Sequence, residues 1–335
     1  MKKNRLGRTD MMVTELCLGT MTFGSQTDAA EGHAQIDMAL AAGINFVDTA
    51  EMYPVNPVRA ETIGRTEEII GDWNAKSGRR SEYILATKHL GEGAVVREGA
   101  PITGKSVTAC IEASLKRLKT DYIDLYQFHW PNRGSYMFRK NWTYDAGSSG
   151  QTKADVLANM EDCLGALQAE VDKGNIRAFG LSNESAWGTA QWLRLSEAGL
   201  GPRVASIQNE YSLLCRLFDT DLAELSHYED VGLLSFSPLA AGYLTGKYLD
   251  GAIPEGSRMT INEEMGGRKT DRVDAAVAAY MAVAAWFGSG AYGAGLVQDA
   301  PLHDLDDLWG HHHRPVGAYP RRRLAGAVAR GSRAA

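Results

Sequence analysis

Four residues whose types could do chemistry together stand at or just past the ends of apolar runs: Asp48, Tyr53, Lys88 and His129. An acid, a phenol, an amine and an imidazole in one place suit proton transfer to an oxygen. A phenol titrates at about 10 in water and is a poor acid at neutral pH. A nearby ammonium favours the phenolate and lowers that value. Lys88 can play that part, with Asp48 holding the lysine charged and in place. His129 can hydrogen-bond a substrate oxygen or pass the proton. Such a set protonates a carbonyl oxygen while another agent delivers hydride. No side chain is a hydride donor, so a cofactor must supply it.

A second set of residues suits that cofactor. The phosphates of a nicotinamide dinucleotide need backbone N–H groups and a cation, and the stretch Ser237 to Lys247 offers glycines, hydroxyls and Lys247. Ser182, Asn183 and Gln208 offer donors and acceptors for a carboxamide, and Tyr211 offers a flat face for stacking. Glycines flank Thr20 in Gly19-Thr20-Met21-Thr22-Phe23-Gly24. They would let a ligand approach the backbone, although a simple turn explains them equally well.

The elements that must position these residues are strands of a parallel sheet. Ile44 to Val47, Tyr83 to Ala86 and Ile123 to Phe128 are apolar runs, and the site residues they deliver lie about forty residues apart with helical patterns between them. Earlier, residues 2 to 14 read as a hairpin before a strand at Glu15 to Gly19. Later strands are expected at Ile176 to Leu181, Val204 to Ile207 and Val231 to Phe236. Helices are expected at Gly32 to Ala42, from a cap at Thr66-Glu67-Glu68, at Gly104 to Lys119, at Asp155 to Lys173 and at Arg272 to Phe287. Seven βα repeats imply a (β/α)8 TIM barrel with an N-terminal β-hairpin, in one domain over residues 1–287. Polar residues at the C-terminal strand ends then read as an active site. The stretch Asn132 to Lys153 is too long for an ordinary βα loop and reads as a substrate-side loop.

Bulk composition excludes several classes. The chain has 335 residues with a formal net charge of −6, so no basic surface argues for nucleic acid. The polar start shows no secretory signal, and no apolar run is long enough to span a membrane. Cys17, Cys110, Cys163 and Cys215 are scattered without a CxxC pair, which fits reduced thiols in a cytoplasmic protein. Asp and His at strand ends could ligate zinc. No second His reaches a strand end in the first seven units, and the His311-His312-His313 run lies in a glycine-rich tail.

The last 48 residues differ from the rest. They contain no Lys, Glu, Ile, Phe, Met, Thr or Asn, and Ala, Gly and Arg make up 23 of them. No strand and helix comparable to the preceding seven are found there, so residues 288–335 are expected to be an irregular tail and the eighth βα unit to be missing or disordered.

The ordered stretches resemble the aldo-keto reductases, and within them the Tas-like branch related to potassium-channel β subunits. The matching residues are Gly19 to Gly24, Asp48-Thr49-Ala50-Glu51-Met52-Tyr53-Pro54, Ala86-Thr87-Lys88, Leu125 to Pro131, Gly180 to Glu184, Gln208 to Leu213 and Ser237 to Lys247. The resemblance implies a TIM barrel, NADPH and reversible reduction of small-molecule aldehydes or ketones. It makes Tyr53 the general acid, tuned by Lys88 and Asp48, with His129 orienting the carbonyl. It places Ser182, Asn183 and Gln208 on the carboxamide, Tyr211 on the nicotinamide ring, and Ser237, Leu239, Gly242 and Lys247 on the pyrophosphate. Thr20 falls on the cofactor side as well. A cofactor-binding regulatory subunit with little turnover is the alternative, because channel β subunits share the four residues.

The family's eighth strand leads into a Gly-Ala-Thr-Thr-like segment that grips the adenosine 2′-phosphate, and this sequence has none. Read one base forward, residues 301 to 317 can decode as Pro-Phe-Met-Thr-Ser-Thr-Ile-Phe-Gly-Ala-Thr-Thr-Thr-Ala-Gln-Leu. Trp309-Gly310 must then give Gly, and His311-His312 only Thr or Ile. The tail therefore reads as an out-of-frame translation of a normal C-terminus.

Overall fold

The N-terminal β-hairpin, β1 (Lys3–Arg5) with β2 (Met12–Thr14), is antiparallel and stands beneath everything that follows. Its turn is pressed onto the barrel floor. At Gly7, where φ is +54°, a side chain would meet the Ala205 carbonyl oxygen at 2.3 Å. Leu6, Met11 and Val13 pack with Cys17, Phe46, Ala86, Leu125, Ala178, Ala205 and Leu234, which fill the barrel interior. The hairpin thus closes one mouth with apolar side chains and leaves the other to the polar strand ends.

The computed structural model describes residues 1–93, 95–287 and 305–309. From the hairpin the chain runs β3 (Leu16–Gly19), α1 (Ala29–Ala41), β4 (Phe46–Asp48), α2 (Arg65–Ser77), β5 (Ile84–His89), α3 (Gly104–Leu118), β6 (Ile123–Phe128), α4 (Lys153–Asp172), β7 (Ile176–Ser182), α5 (Ala186–Glu197), β8 (Val204–Glu210), α6 (Asp221–Glu229), β9 (Gly232–Phe236), a short α7 (Arg258–Ile261), α8 (Val273–Phe287) and β10 (Leu305–Trp309). The strands β3 to β10 pair in parallel and in sequence order, and β10 lies between β9 and β3, so the barrel closes. Three helices start on capping boxes, with Asp28 and Glu31 at α1, Thr103 and Ser106 at α3, and Thr152 and Asp155 at α4. A larger core lies between the sheet and the helices, where Val47, Leu85, Phe179, Ile207 and Leu233 meet Ile36, Ile70, Ile111, Leu164 and Trp192.

Two expectations are corrected, and one helix comes in addition. Thr66 does not cap α2. Gly64 holds the cap position at φ 82°, and the Thr66 hydroxyl, inside the first turn, donates to the Phe23 carbonyl at 2.7 Å. The helix α6 was not foreseen, because nine residues of mixed polarity leave a weak periodic signal. An eighth strand is present at Leu305–Trp309. Asp306 and Asp307 interrupt its apolar run, and aspartate is depleted in strands, so pattern alone does not reveal it. The helix half of the eighth unit, and the rest of the tail, fall outside the described residues. All four cysteines are free and buried. Among the described residues no helix is long and apolar enough to cross a membrane.

Candidate active site

The four residues singled out from the sequence meet at the open mouth of the barrel. Gly19 lies beside Asp48, Asp48 beside Ala86, Lys88 beside Gln127, and Ser182 beside Gln208 in the strand registers. Lys88, fully buried, is ion-paired with Asp48 Oδ2 and donates to the Thr49 carbonyl at 2.9 Å. Asp48 Oδ1 accepts from Gln127 Nε2 and from Gln208 Nε2, each at 3.0 Å. The carboxylate is therefore fixed by three contacts and holds the ammonium in one position. Lys88 Nζ lies 5.0 Å from the centroid of the Tyr53 ring. Tyr53 comes from the loop after β4 and meets His129 edge to face, with centroids 5.7 Å apart.

Burial first, and the Lys88 charge second, hold the His129 imidazole well below the usual histidine range. His129 is neutral at neutral pH and can donate one ring N–H. Its Nδ1 is buried and has no hydrogen-bond partner among the described residues. The aromatic wall continues outward: Trp130 packs at 5.2 Å on His129, and Phe138 at 5.7 Å on Trp130.

His89 ends β5, so against expectation a second histidine does reach a strand end, but both its ring nitrogens are engaged, by the Leu90 carbonyl and Ser106 Oγ. Burial brings His89 down to about 4. Both histidines are thus neutral when folded, whereas the unfolded chain titrates them at about 6.5. On acidification the unfolded state takes up protons that the folded state refuses. Stability is full above pH ~6.5 and falls as pH drops towards the His89 value. Between about pH 6.5 and 5, His89 alone should cost about 2 kcal/mol. Urea denaturation at two pH values, with His89→Gln alongside, checks this. If the variant loses as much on acidification as the parent, His89 is not responsible.

The expected cofactor residues divide into two groups. Around the tetrad, Asn183 adopts φ 52° and donates through Nδ2 to the His129 carbonyl at 2.9 Å and to Ser182 Oγ at 3.0 Å. Its Oδ1 is buried with no partner among the described residues. Gln208 donates one Nε2 N–H to Asp48, which leaves its second N–H and its amide oxygen for a ligand. The Thr20 hydroxyl donates to the Asp48 carbonyl at 2.8 Å, so it braces the tetrad from behind. Tyr211 donates its hydroxyl to Asp219 at 2.8 Å, and burial followed by that contact pushes its phenol up to about 12.

Ser237, Leu239, Gly242 and Lys247 form the second group, on the loop after β9. Ser237 has φ 56° and Gly242 φ 99°, and a side chain at Gly242 would meet Lys247 Cε at 2.8 Å. The loop is anchored from below: Ala240, Tyr243, Leu244 and Tyr248 pack with Met259, Met265, Val273 and Val277.

Two arginines beside this loop escaped sequence reasoning. Arg268 donates to Glu210 Oε1 at 3.0 Å and approaches Ser237 Oγ at 3.5 Å. Glu210 also binds Arg139 from the Asn132 to Lys153 stretch, so that long loop is tied across the mouth to the segment carrying Arg268. Arg258 is half-buried, and its guanidinium reaches Met21 Sδ at 3.5 Å. Among the described residues no carboxylate pairs with it. Burial first, and the like charge of Arg268 second, lower it to about 10. An arginine in such a stretch looks solvated in sequence; only the fold reveals that no carboxylate among the described residues pairs with this one.

Comparison with known proteins matches residues 15–285 to the model of the aldo/keto reductase family. The chain is similar to protein tas of Escherichia coli, with 43% identity over 291 residues, covering 85% of this chain and 81% of that protein. It is also similar to the uncharacterized oxidoreductase YrpG of Bacillus subtilis, 33% identical over 254 residues that cover 74% of this chain and 70% of the relative. A probable voltage-gated potassium channel subunit beta of Arabidopsis thaliana is 32% identical over 270 residues, 78% of this chain and 71% of that protein.

Proposed function

This chain belongs to the aldo/keto reductase family, and from that premise we propose that it is an NADPH-dependent reductase of small aldehydes or ketones, with Tyr53 as the general acid. Family membership brings oxidoreductase chemistry on small molecules. The finer reading rests on one observation: Tyr53, Lys88 and His129 converge beside a carboxylate, Asp48, that pairs with the lysine through one oxygen and is held by two glutamine amides through the other.

The residues present fit a nicotinamide dinucleotide. Asn183 Oδ1 is a buried acceptor with no partner among the described residues, suited to a carboxamide N–H. The absent side chain at Gly242 lets the Lys247 side chain lie against the loop backbone, which a Cβ there would obstruct. Arg258 is a cation in want of an anion, next to a loop shaped for phosphates.

When bound, the nicotinamide supplies hydride to the carbonyl carbon. The chain's own part is proton transfer and orientation. Tyr53 gives its hydroxyl proton to the carbonyl oxygen. The Lys88 ammonium stabilises the charge left on the phenol oxygen, and Asp48 keeps that ammonium from moving away. Neutral His129 donates an N–H to the same carbonyl oxygen and fixes its direction. Trp130 and Phe138 form an apolar wall that keeps water from the reacting centre.

NADPH oxidation measured against a panel of small aldehydes and ketones tests the reading, and no turnover on any of them would overturn it. The similarity to channel β subunits supports a second reading, a cofactor-binding subunit with negligible turnover. Tight NADPH binding without oxidation, together with co-purification of a membrane partner, would favour that one.

The cation at Arg258 gives a separate expectation. A charge-assisted hydrogen bond contributes about 1.5–3 kcal/mol, so Arg258→Met should raise the Kd for NADPH about 10- to 100-fold. Fluorescence titration of the cofactor measures it. A change below about threefold would take Arg258 off the cofactor.

A further inference from the structure

Glu51 lies on the loop between Asp48 and Tyr53, and its carboxylate is buried. Glu51 Oε1 accepts the Leu90 N–H at 2.6 Å and is ion-paired with Arg97. Leu90 stands just past the end of β5, two residues beyond Lys88. The backbone repeats the connection: the Glu51 N–H donates to the Lys88 carbonyl at 3.2 Å, and the Thr49 N–H to that of Ala86 at 2.9 Å. Arg97 reaches back from the turn Val96–Gly99, where it takes φ 53°, and its Nη2 donates to the Leu90 carbonyl at 2.7 Å. One carboxylate thus fastens the Tyr53 loop to the Lys88 strand end, and one guanidinium closes the fastening.

His89 and Cys110 complete the cluster. The ligand atoms of Glu51, His89 and Cys110 all lie within 4.8 Å of one another. These are metal-ligand types, but Arg97 already neutralises Glu51. Both ring nitrogens of His89 are also engaged, Nδ1 2.9 Å from the Leu90 carbonyl and Nε2 3.0 Å from Ser106 Oγ. The Cys110 thiol is pushed up to about 12 by burial and then by the Glu51 charge, so it stays protonated. The cluster carries its own cation and serves as a brace.

We propose that Glu51, braced by Arg97, is a positioning residue that sets the separation between the Tyr53 phenol and the Lys88 ammonium. The proposal rests on Tyr53 acting as the proton donor. Tyr53 sits on a loop and Lys88 on a strand, and Glu51 ties that loop to the strand end through its carboxylate and its backbone N–H. A misplacement of about 1 Å can cost about 100-fold in rate, which gives such a brace its weight. The charged and titratable groups facing Tyr53 include Lys88, His129 and Arg258.

Two variants separate position from charge. Glu51→Asp keeps the charge and shortens the reach; Glu51→Gln keeps the length and the accepting oxygen and removes the charge. Glu51→Asp should lower kcat about tenfold or more with the Kd for NADPH within about twofold, and Glu51→Gln should stay within about threefold of the parent. The reverse order would assign the effect to charge, and a matching loss of kcat, cofactor affinity and melting temperature would reduce Glu51 to a structural role. Either overturns the proposal. A second measurement needs no turnover. With tyrosine carrying carbon-13 at Cζ, the Tyr53 signal is identified by its loss in Tyr53→Phe, and its titration midpoint should rise in Glu51→Asp. An unmoved midpoint overturns the proposal. Should the parent reduce no carbonyl at all, the reductase reading falls while this titration still decides the role of Glu51.

Discussion

Tyr53→Phe should lower kcat for carbonyl reduction by about 10²–10⁴-fold, the range that proton transfer by a placed side chain contributes. The Kd for NADPH should stay within about twofold. The substitution removes one oxygen and keeps the ring. That ring packs with Met21 and Ala50 and meets His129 edge to face, contacts that phenylalanine retains. Stability should therefore change little, and a loss of rate can be read as a loss of chemistry. Lys88→Met is the less clean experiment. It leaves Asp48 as a buried carboxylate without its cation, which costs about 3–5 kcal/mol and confuses folding with catalysis. Stopped-flow measurement of hydride transfer with the purified variant decides the matter. Full turnover in Tyr53→Phe would remove Tyr53 from the acid role and leave His129 as the donor to examine. Because burial and Lys88 hold His129 neutral, no activity should then gain from acidification through the usual histidine range.

How much of this was legible in the sequence follows from how each residue is positioned. Asp48, Lys88 and His129 end apolar runs of β4, β5 and β6, and a strand's end in a parallel sheet is predictable from its pattern. The four residues are brought together in the structure as the spacing implied. Gln127 was not legible. It sits inside the run Ile123 to Phe128 and looks like one polar interruption of a strand, yet parallel pairing places it beside Lys88 and its amide on Asp48. Glu51 and Arg97 were hidden for another reason. They lie on two different loops, and only the return of both chains to Leu90 gives them a common partner. Arg258 needed the fold to become visible, since its partial burial and the like charge of Arg268 beside it appear only there. The eighth strand escaped because its position is set by barrel closure between β9 and β3 rather than by its own pattern.

Restoring the reading frame after Phe287 should tighten NADPH binding about tenfold or more, the weight of at least one charge-assisted contact to a phosphate. It should also raise the urea midpoint. The family match ends at residue 285, and the change of composition begins at 288, so two independent boundaries nearly coincide. The eighth barrel position is nevertheless occupied by Leu305–Trp309, paired with Leu16 to Gly19 on one side and Leu234 and Ser235 on the other. In the forward frame the codons spanning those same residues can read Ser-Thr-Ile-Phe. Two aspartates are thereby exchanged for threonine and isoleucine, which fit a strand better. The segment's distance from α8 is unchanged, so both readings bring a chain segment to the same gap. What the forward frame adds is the Gly-Ala-Thr-Thr segment immediately after it, where the resemblance places the grip on the adenosine 2′-phosphate. NADPH affinity should therefore rise more than NADH affinity. The direct observation is the DNA around the codons for Phe287 to Ser289. The functional one is a pair of chains differing only in frame beyond that point, compared by urea denaturation and by calorimetric titration with both cofactors. An independently confirmed frame together with equal affinity in the two chains would make the tail genuine and place the cofactor's grip on Lys247 and Arg258 alone.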